Sequence, residues 1–374
     1  MKPEHIKIIA GSRAKAHIQR HGLHPEDISA IPAAAGGPKG LILQGLDRFI
    51  FTQWLTPEVL ARRADNGGAP LQLIGASIGA WRMAAAASAK PDEAFRELAE
   101  QYCEMQRYPK GIDRATISEI CGYMLDGFTD PHIQDIANPK HKNLVVWVNK
   151  GLSPLHRPHS HPAHPPLASK QGFASAVLSN AVNRNNLAKY FERWVFATHP
   201  EDLDWISKPF DKIPLKLQKL NERNLKPSLL ASGSIPFVLD PVQKIPADDV
   251  DQSPWSGPFW DGGLTDYHLA LPYHRLPGIV LYPHFSDSVI PGWLDKFLKL
   301  RKALPEWMSN VVLVCPSQKF IKRLPNNKIP DRSDFKRHGD NHDRRIQSWR
   351  AAISESYRMS LEFENWLKHP HFDD

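Results

Sequence analysis

The chain has 374 residues, 41% hydrophobic and 23% charged, enough to bury one large core or two unequal ones, which excludes a chain disordered throughout. Its formal net charge of +7 invites a nucleic-acid partner, but no groove-reading motif accompanies the charge, so no nucleic acid is expected. No apolar run approaches bilayer length and Met1 to His21 is charged and amphipathic, unlike a signal peptide, so the expected compartment is the cytoplasm. Cys103, Cys121 and Cys315 are widely spaced and odd in number, which suits reduced thiols and argues against a disulfide framework or a zinc cluster.

Taken in order, the elements alternate between strand and helix, the pattern of an α/β fold. A helix over about Ser12 to His21 precedes the first expected strand, Ile28 to Ala33. Gly36-Gly37-Pro38-Lys39-Gly40 follows, with Pro38 opening a helix to about Trp54, a position where its missing N–H is not needed. The glycines before it present free amides at the positive end of a helix dipole, an anion site suited to a phosphate or to the oxyanion of a tetrahedral intermediate.

Leu71 to Ile74 reads as a strand, and Ile78 to Ala89 as an alanine-rich helix small enough to lie close on a sheet. Between them Gly75-Ala76-Ser77-Ile78-Gly79 is a G-x-S-x-G elbow, which places the Ser77 hydroxyl on a tight strand-to-helix turn. Helices are expected over Asp92 to Tyr108 and about Asp113 to Met124, then a valine-rich strand over Lys142 to Lys150. Ser153 to Pro166 is crowded with proline and carries His156, His159, His161 and His164, without acidic or cysteine partners; it reads as a surface loop rather than a metal site.

Helical patterns at Ser175 to Val182 and Ile213 to Leu220 lead to the segment Ala231 to Phe237. Strands at about Gly278 to Tyr282 and Asn310 to Cys315 come next, and Arg344 to Trp366 closes as a helix. The late cations from Lys319 to Arg345, Arg332 among them, alternate with aspartates and read as a mixed solvated face.

A nucleophilic serine needs a base, and the candidate is Asp261 in Pro258-Phe259-Trp260-Asp261-Gly262-Gly263. Alone, Asp-Gly-Gly is a β-turn; its glycines also allow a turn that holds a carboxylate at a strand end, with Phe259 and Trp260 as a candidate apolar wall. The ordered set G-G-x-[K/R]-G, G-x-S-x-G and D-G-[G/A] resembles the patatin-like phospholipases, acyl hydrolases that use a Ser-Asp dyad without histidine. Leu230-Ala231-Ser232-Gly233-Ser234-Ile235-Pro236-Phe237 is similar to that family's A-S-x-A-x-P-x-F segment, and the resemblance covers Ile28 to Tyr282.

The resemblance implies a three-layer α/β/α fold with a mostly parallel central sheet over residues 1–300, and a C-terminal extension, 301–374, packed on or beside it. It implies Ser77 as nucleophile, Asp261 as general base and the amides around Gly36 and Gly37 as oxyanion hole, with Lys39 in the basic position of that loop. The implied substrate is a lipid ester, phospholipid or lysophospholipid, with no cofactor or metal, and an anionic membrane surface is the natural peripheral partner. One departure stands out: Ala34-Ala35 occupies positions where the family usually has a further glycine and often an acidic residue. Alanine still carries an N–H, so the hole survives if no positive φ is needed there.

Two other readings stay open. His284, after a late strand, has the chain position of the histidine in an α/β-hydrolase Ser-Asp-His triad. A noncatalytic lipid-binding or scaffold protein on the same fold is the second, against which intact Ser77 and Asp261 argue.

Overall fold

The computed structural model describes residues 3–152 and 168–372. Within them ten strands form one sheet: β1 (Ile6–Ala10), β2 (Ile28–Ala33), β3 (Leu71–Ala76), β4 (Lys142–Gly151), β5 (Phe191–Ala197), β6 (Leu215–Lys219), β7 (Val242–Ile245), β8 (Trp255–Asp261), β9 (Ile279–Pro283) and β10 (Val311–Pro316). The main order is β1-β10-β9-β2-β3-β4-β5-β6, with β8 joined to β4 and β7 to β8. Strands β10, β9, β2, β3 and β4 run parallel through the centre, while β1 closes one edge antiparallel. Helices cover both faces, giving a three-layer α/β/α architecture.

The central strands are short apolar runs, and β2, β3, β9 and β10 are buried at every residue. Such runs fit strands covered on both faces, because parallel strands joined by crossover helices have no solvated side. The elbow helix Ile78–Ala87 is likewise buried at every position, and its alanines let it lie against β2, β3 and β4.

Three expectations are corrected by the backbone. Leu215–Lys219 is a strand paired in parallel with β5, not part of a helix; its Leu-Lys-Leu-Gln-Lys alternation has the two-residue period of a half-buried edge strand. The helix expected from Pro38 to Trp54 is three pieces, a 3-10 run Gly37–Leu43, an α-helical turn Gln44–Phe49 and a π turn Ile50–Trp54. The Ser12–His21 helix forms as expected, but it follows β1 rather than preceding the first strand.

The segment expected as an extension after residue 300 supplies β10, which lies between β1 and β9, so the sheet crosses that boundary. Its long helix His342–Lys368 lies on the Gln44–Phe49 turn, and at Gly45 a Cβ would come within 2.5 Å of the Ser356 carbonyl oxygen. The histidine-rich stretch 153–166 falls outside the described residues. The three cysteines are free and buried, and burial pushes the Cys103 thiol up to about 12.

Candidate active site

Ser77 is the hinge between β3 and the elbow helix, with φ 56° and ψ −131°, a conformation costly for a residue with a side chain. Both glycines of the motif are sterically required. A Cβ on Gly75 would lie 2.4 Å from the Ala80 nitrogen, and one on Gly79 would lie 1.9 Å from the Ala33 carbonyl oxygen. The amide of Ser77 donates to Ser232 Oγ at 2.8 Å, and that hydroxyl donates to the Trp147 carbonyl at 2.7 Å. Ser232 thus ties the segment Leu230–Phe237 to the elbow, a role its sequence pattern left unspecified.

Strand β4 brings the second residue into place. Ala76 at the end of β3 pairs with Trp147, and the next residue of β4, Val148, pairs with Asp261 at the end of antiparallel β8. Strands β3 and β8 therefore meet head to head along one side of β4, and Ser77 and Asp261 sit where they meet. Ser77 and Asp261 line the same cavity, and the Ser77 hydroxyl stands near enough to the Asp261 carboxylate to stabilise its charged form. Asp261 Oδ1 accepts the Gly263 amide at 2.6 Å, while Asn149 Nδ2 donates to the carbonyls of Asp261 and Gly262 at 2.9 and 3.0 Å. Burial raises the pKa of Asp261; the nearby Ser77 hydroxyl and the bond from the Gly263 amide, then the charges of Arg332 and Lys296, pull it the other way.

The glycine loop after β2 faces this pair. Ala35 donates its amide to the Tyr267 carbonyl at 2.9 Å, and Gly36 and Gly37 open the 3-10 run, whose first amides have no partner within the run. Gly37 has φ 57°, so this is the position of the loop that requires glycine by torsion. Ala34 and Ala35 do not have positive φ, consistent with alanine being accommodated there. Behind the loop, Arg82 of the elbow helix grips Asp47 with two bonds of 2.7 Å, both side chains buried. This pair fastens the glycine-loop segment to the helix that carries Ser77.

Two cavities open on Ser77. One, of about 280 Å³, is lined by Ala35, Gly36, Lys39, Asp261, Tyr267, Trp293, Lys296 and Arg332. The other, of about 250 Å³, is lined largely by apolar groups, including Trp81, Ile117, Met124, Leu230 and Leu239, with Arg332 at its border. In the first, Lys296 lies over the Tyr267 ring, 4.0 Å from its centroid, and Lys39 lies 5.1 Å from that of Phe285. Burial, reinforced by the charges of Lys39 and Arg332, lowers Lys296 to about 7. Burial lowers Lys39 as well.

Arg332 and Lys296 were not among the expected site residues. Arg332 belongs to the late cations read as a solvated face; instead it borders both cavities, and its Nε would lie 3.5 Å from a Cβ on Gly37. No local pattern marks it, because only tertiary packing carries the segment to Ser77. Phe259 and Trp260 are fully buried core residues rather than a cavity wall; Leu264, Tyr267 and Trp293 take that place. His284 lines neither cavity. It is fully buried, its Nδ1 accepts the Ser286 amide at 2.9 Å, its ring packs on His268 and Phe285, and burial lowers its pKa to about 3.

No family model matches the chain, and no curated protein matches it.

Proposed function

We propose that the protein is a serine acyl hydrolase of the patatin-like type that cleaves a carboxylic ester of a lipid bearing an anionic group. The observation that carries this reading is the placement of Ser77 and Asp261 at the head-to-head ends of β3 and β8, with both lining a cationic cavity and Ser77 also an apolar one. Asp261, made more basic by burial, takes the proton as Ser77 Oγ attacks the ester carbonyl. Because the Ser77 amide is occupied by Ser232, the oxyanion falls to the amides of Gly36 and Gly37, one such donor being worth about 3 kcal/mol. Asp261 then hands the proton to the leaving alcohol, and water repeats the sequence on the acyl-serine.

The cavities divide the substrate. The apolar one suits the acyl chain, and the one holding Lys39, Lys296 and Arg332 suits a leaving group with a phosphate, as in a phospholipid or lysophospholipid. His284 has none of the contacts a triad histidine needs, which favours the dyad.

A fluorophosphonate probe tests the central claim without knowledge of the natural substrate, since it labels only an activated serine. The expected result is labelling of the wild-type chain and none of a folded Ser77→Ala variant, with loss of ester hydrolysis in parallel. Equal labelling of the two proteins refutes the serine mechanism.

A further inference from the structure

The segment Lys296–Leu304 reads Lys-Phe-Leu-Lys-Leu-Arg-Lys-Ala-Leu, with four cations and no acidic residue in nine positions. Its apolar side chains are not folded away: Phe297 is 92% exposed and Leu300 is 99% exposed, with exposed Lys299 and Lys302 between and beside them. Isolated surface leucines are ordinary, but large apolar groups protruding among cations from one short segment are not.

The segment is also held in a definite place. Arg301 donates to the Asn180 carbonyl at 2.6 Å and to buried Asp295 at 3.0 Å, pinning it to the end of the Lys170–Val182 helix. At its start, Trp293 and Lys296 line the cationic cavity that opens on Ser77. The protruding Phe297 and Leu300 thus follow a cavity-lining side chain by one and four residues.

We infer that Phe297, Leu300 and the neighbouring lysines form a docking surface for an anionic lipid bilayer, with the aromatic and leucine side chains entering the headgroup boundary and the lysines meeting anionic headgroups. Charge complementarity selects this occupant. A second copy of the chain laid on the same surface in a two-fold arrangement brings like charges together, whereas anionic lipid neutralises them. Apolar side chains that project between the cations are matched by an interface with an oily interior beneath a charged layer. The inference goes beyond the reaction to where its substrate lies, and it rests on the hydrolase reading only for the meaning of its position.

Sedimentation of the full chain with vesicles tests it. Wild-type protein is expected to bind vesicles of phosphatidylglycerol and phosphatidylcholine, to release them at high salt, and to bind phosphatidylcholine vesicles far more weakly. Phe297→Ser with Leu300→Ser, and separately Lys299→Gln with Lys302→Gln, are expected to weaken binding about tenfold or more while turnover of a water-soluble short-chain ester is unchanged. All four side chains are exposed, so these variants retain the fold. Wild-type-like vesicle binding by both pairs overturns the inference, as does the absence of binding to anionic vesicles. Lipid-free self-association abolished by the Phe297 and Leu300 changes reassigns the surface to a second copy and overturns it too. Because vesicle binding needs no hydrolysis, a chain that binds lipid through this segment but cleaves no ester refutes the reaction and leaves the docking surface standing.

Discussion

The two cavities that share Ser77 are nearly equal in size and opposite in chemistry: one collects three cationic side chains, the other tryptophan, isoleucine, methionine and leucine. Different parts of the chain build them. The apolar cavity is walled mainly by helices packed near the elbow helix, whereas the cationic one takes Lys39 from the glycine loop, Lys296 from an irregular loop and Arg332 from beyond β10. The contrast teaches that the reacting pair and the selection of substrate are separable. The pair is fixed by strand ends on β4; the selection rests on side chains that arrive from elsewhere.

The largest effect should come from disarming Ser77, which both cavities share, by removing its base. Asp261→Asn preserves the shape and the acceptor for the Gly263 amide but removes the base, so kcat should fall by about ten-thousandfold, in the range seen when a member of a catalytic set is lost. His284→Ala should leave kcat within a few-fold while lowering the melting temperature, because it empties a buried ring position. Steady-state kinetics beside thermal melts of the two variants check this. The opposite pattern moves the chain to a triad mechanism.

An intermediate effect should separate the cavities. Arg332→Met, although Arg332 borders both cavities, is expected to raise KM about tenfold for an ester with a phosphate on its alcohol and to change KM far less for a neutral ester of the same acyl chain. Ile117→Trp, which fills the apolar cavity, should leave the phosphate preference intact and shift the preferred acyl chain to shorter lengths, each lost buried methylene costing about 0.8 kcal/mol. Measuring both variants on a series of acyl lengths, with and without phosphate, gives the comparison. Parallel losses on every substrate show that the cavities are not separate subsites.

What was legible in the sequence follows the range of the interactions involved. The central strands, the elbow and the glycine turn rest on contiguous residues: Gly75 and Gly79 are demanded by contacts within the elbow and with β2, and β2, β3 and β10 are plain apolar runs. The aspartate was legible only because its glycines make a recognisable turn. Arg332, Lys296 and Ser232 were not, since a cation, or a serine in a small-residue run, has no local signature of the cavity it enters. The edge strands failed for a related reason. Leu215–Lys219 is too short and polar to distinguish from a helical stretch until β5 is beside it.

The smallest expected effect, and the most specific to the cationic side, is a pH dependence. Burial lowers Lys296 to about 7, so it is charged below neutrality and loses its charge as pH rises. For a phosphate-bearing ester, KM should therefore rise a few-fold as pH increases through about 7, with kcat little changed; for a neutral ester, KM should be flat over the same range. Asp261 acts in the other direction. Its raised pKa predicts loss of kcat on acidification for both substrates, because the protonated carboxyl is no base. Lys296→Met should abolish the KM step near neutrality and keep the acid limb. The same substitution carries a stability signature: with its pKa below the ordinary 10.5, Lys296 binds fewer protons in the folded chain than in the unfolded one between about 7 and 10.5, so it makes stability rise with pH across that window, and the variant should lack that slope. Kinetic pH profiles on the two esters, with denaturant melts at pH 7 and pH 9, read both. A KM step of equal size for the neutral ester assigns the titration to something other than an anion held by Lys296.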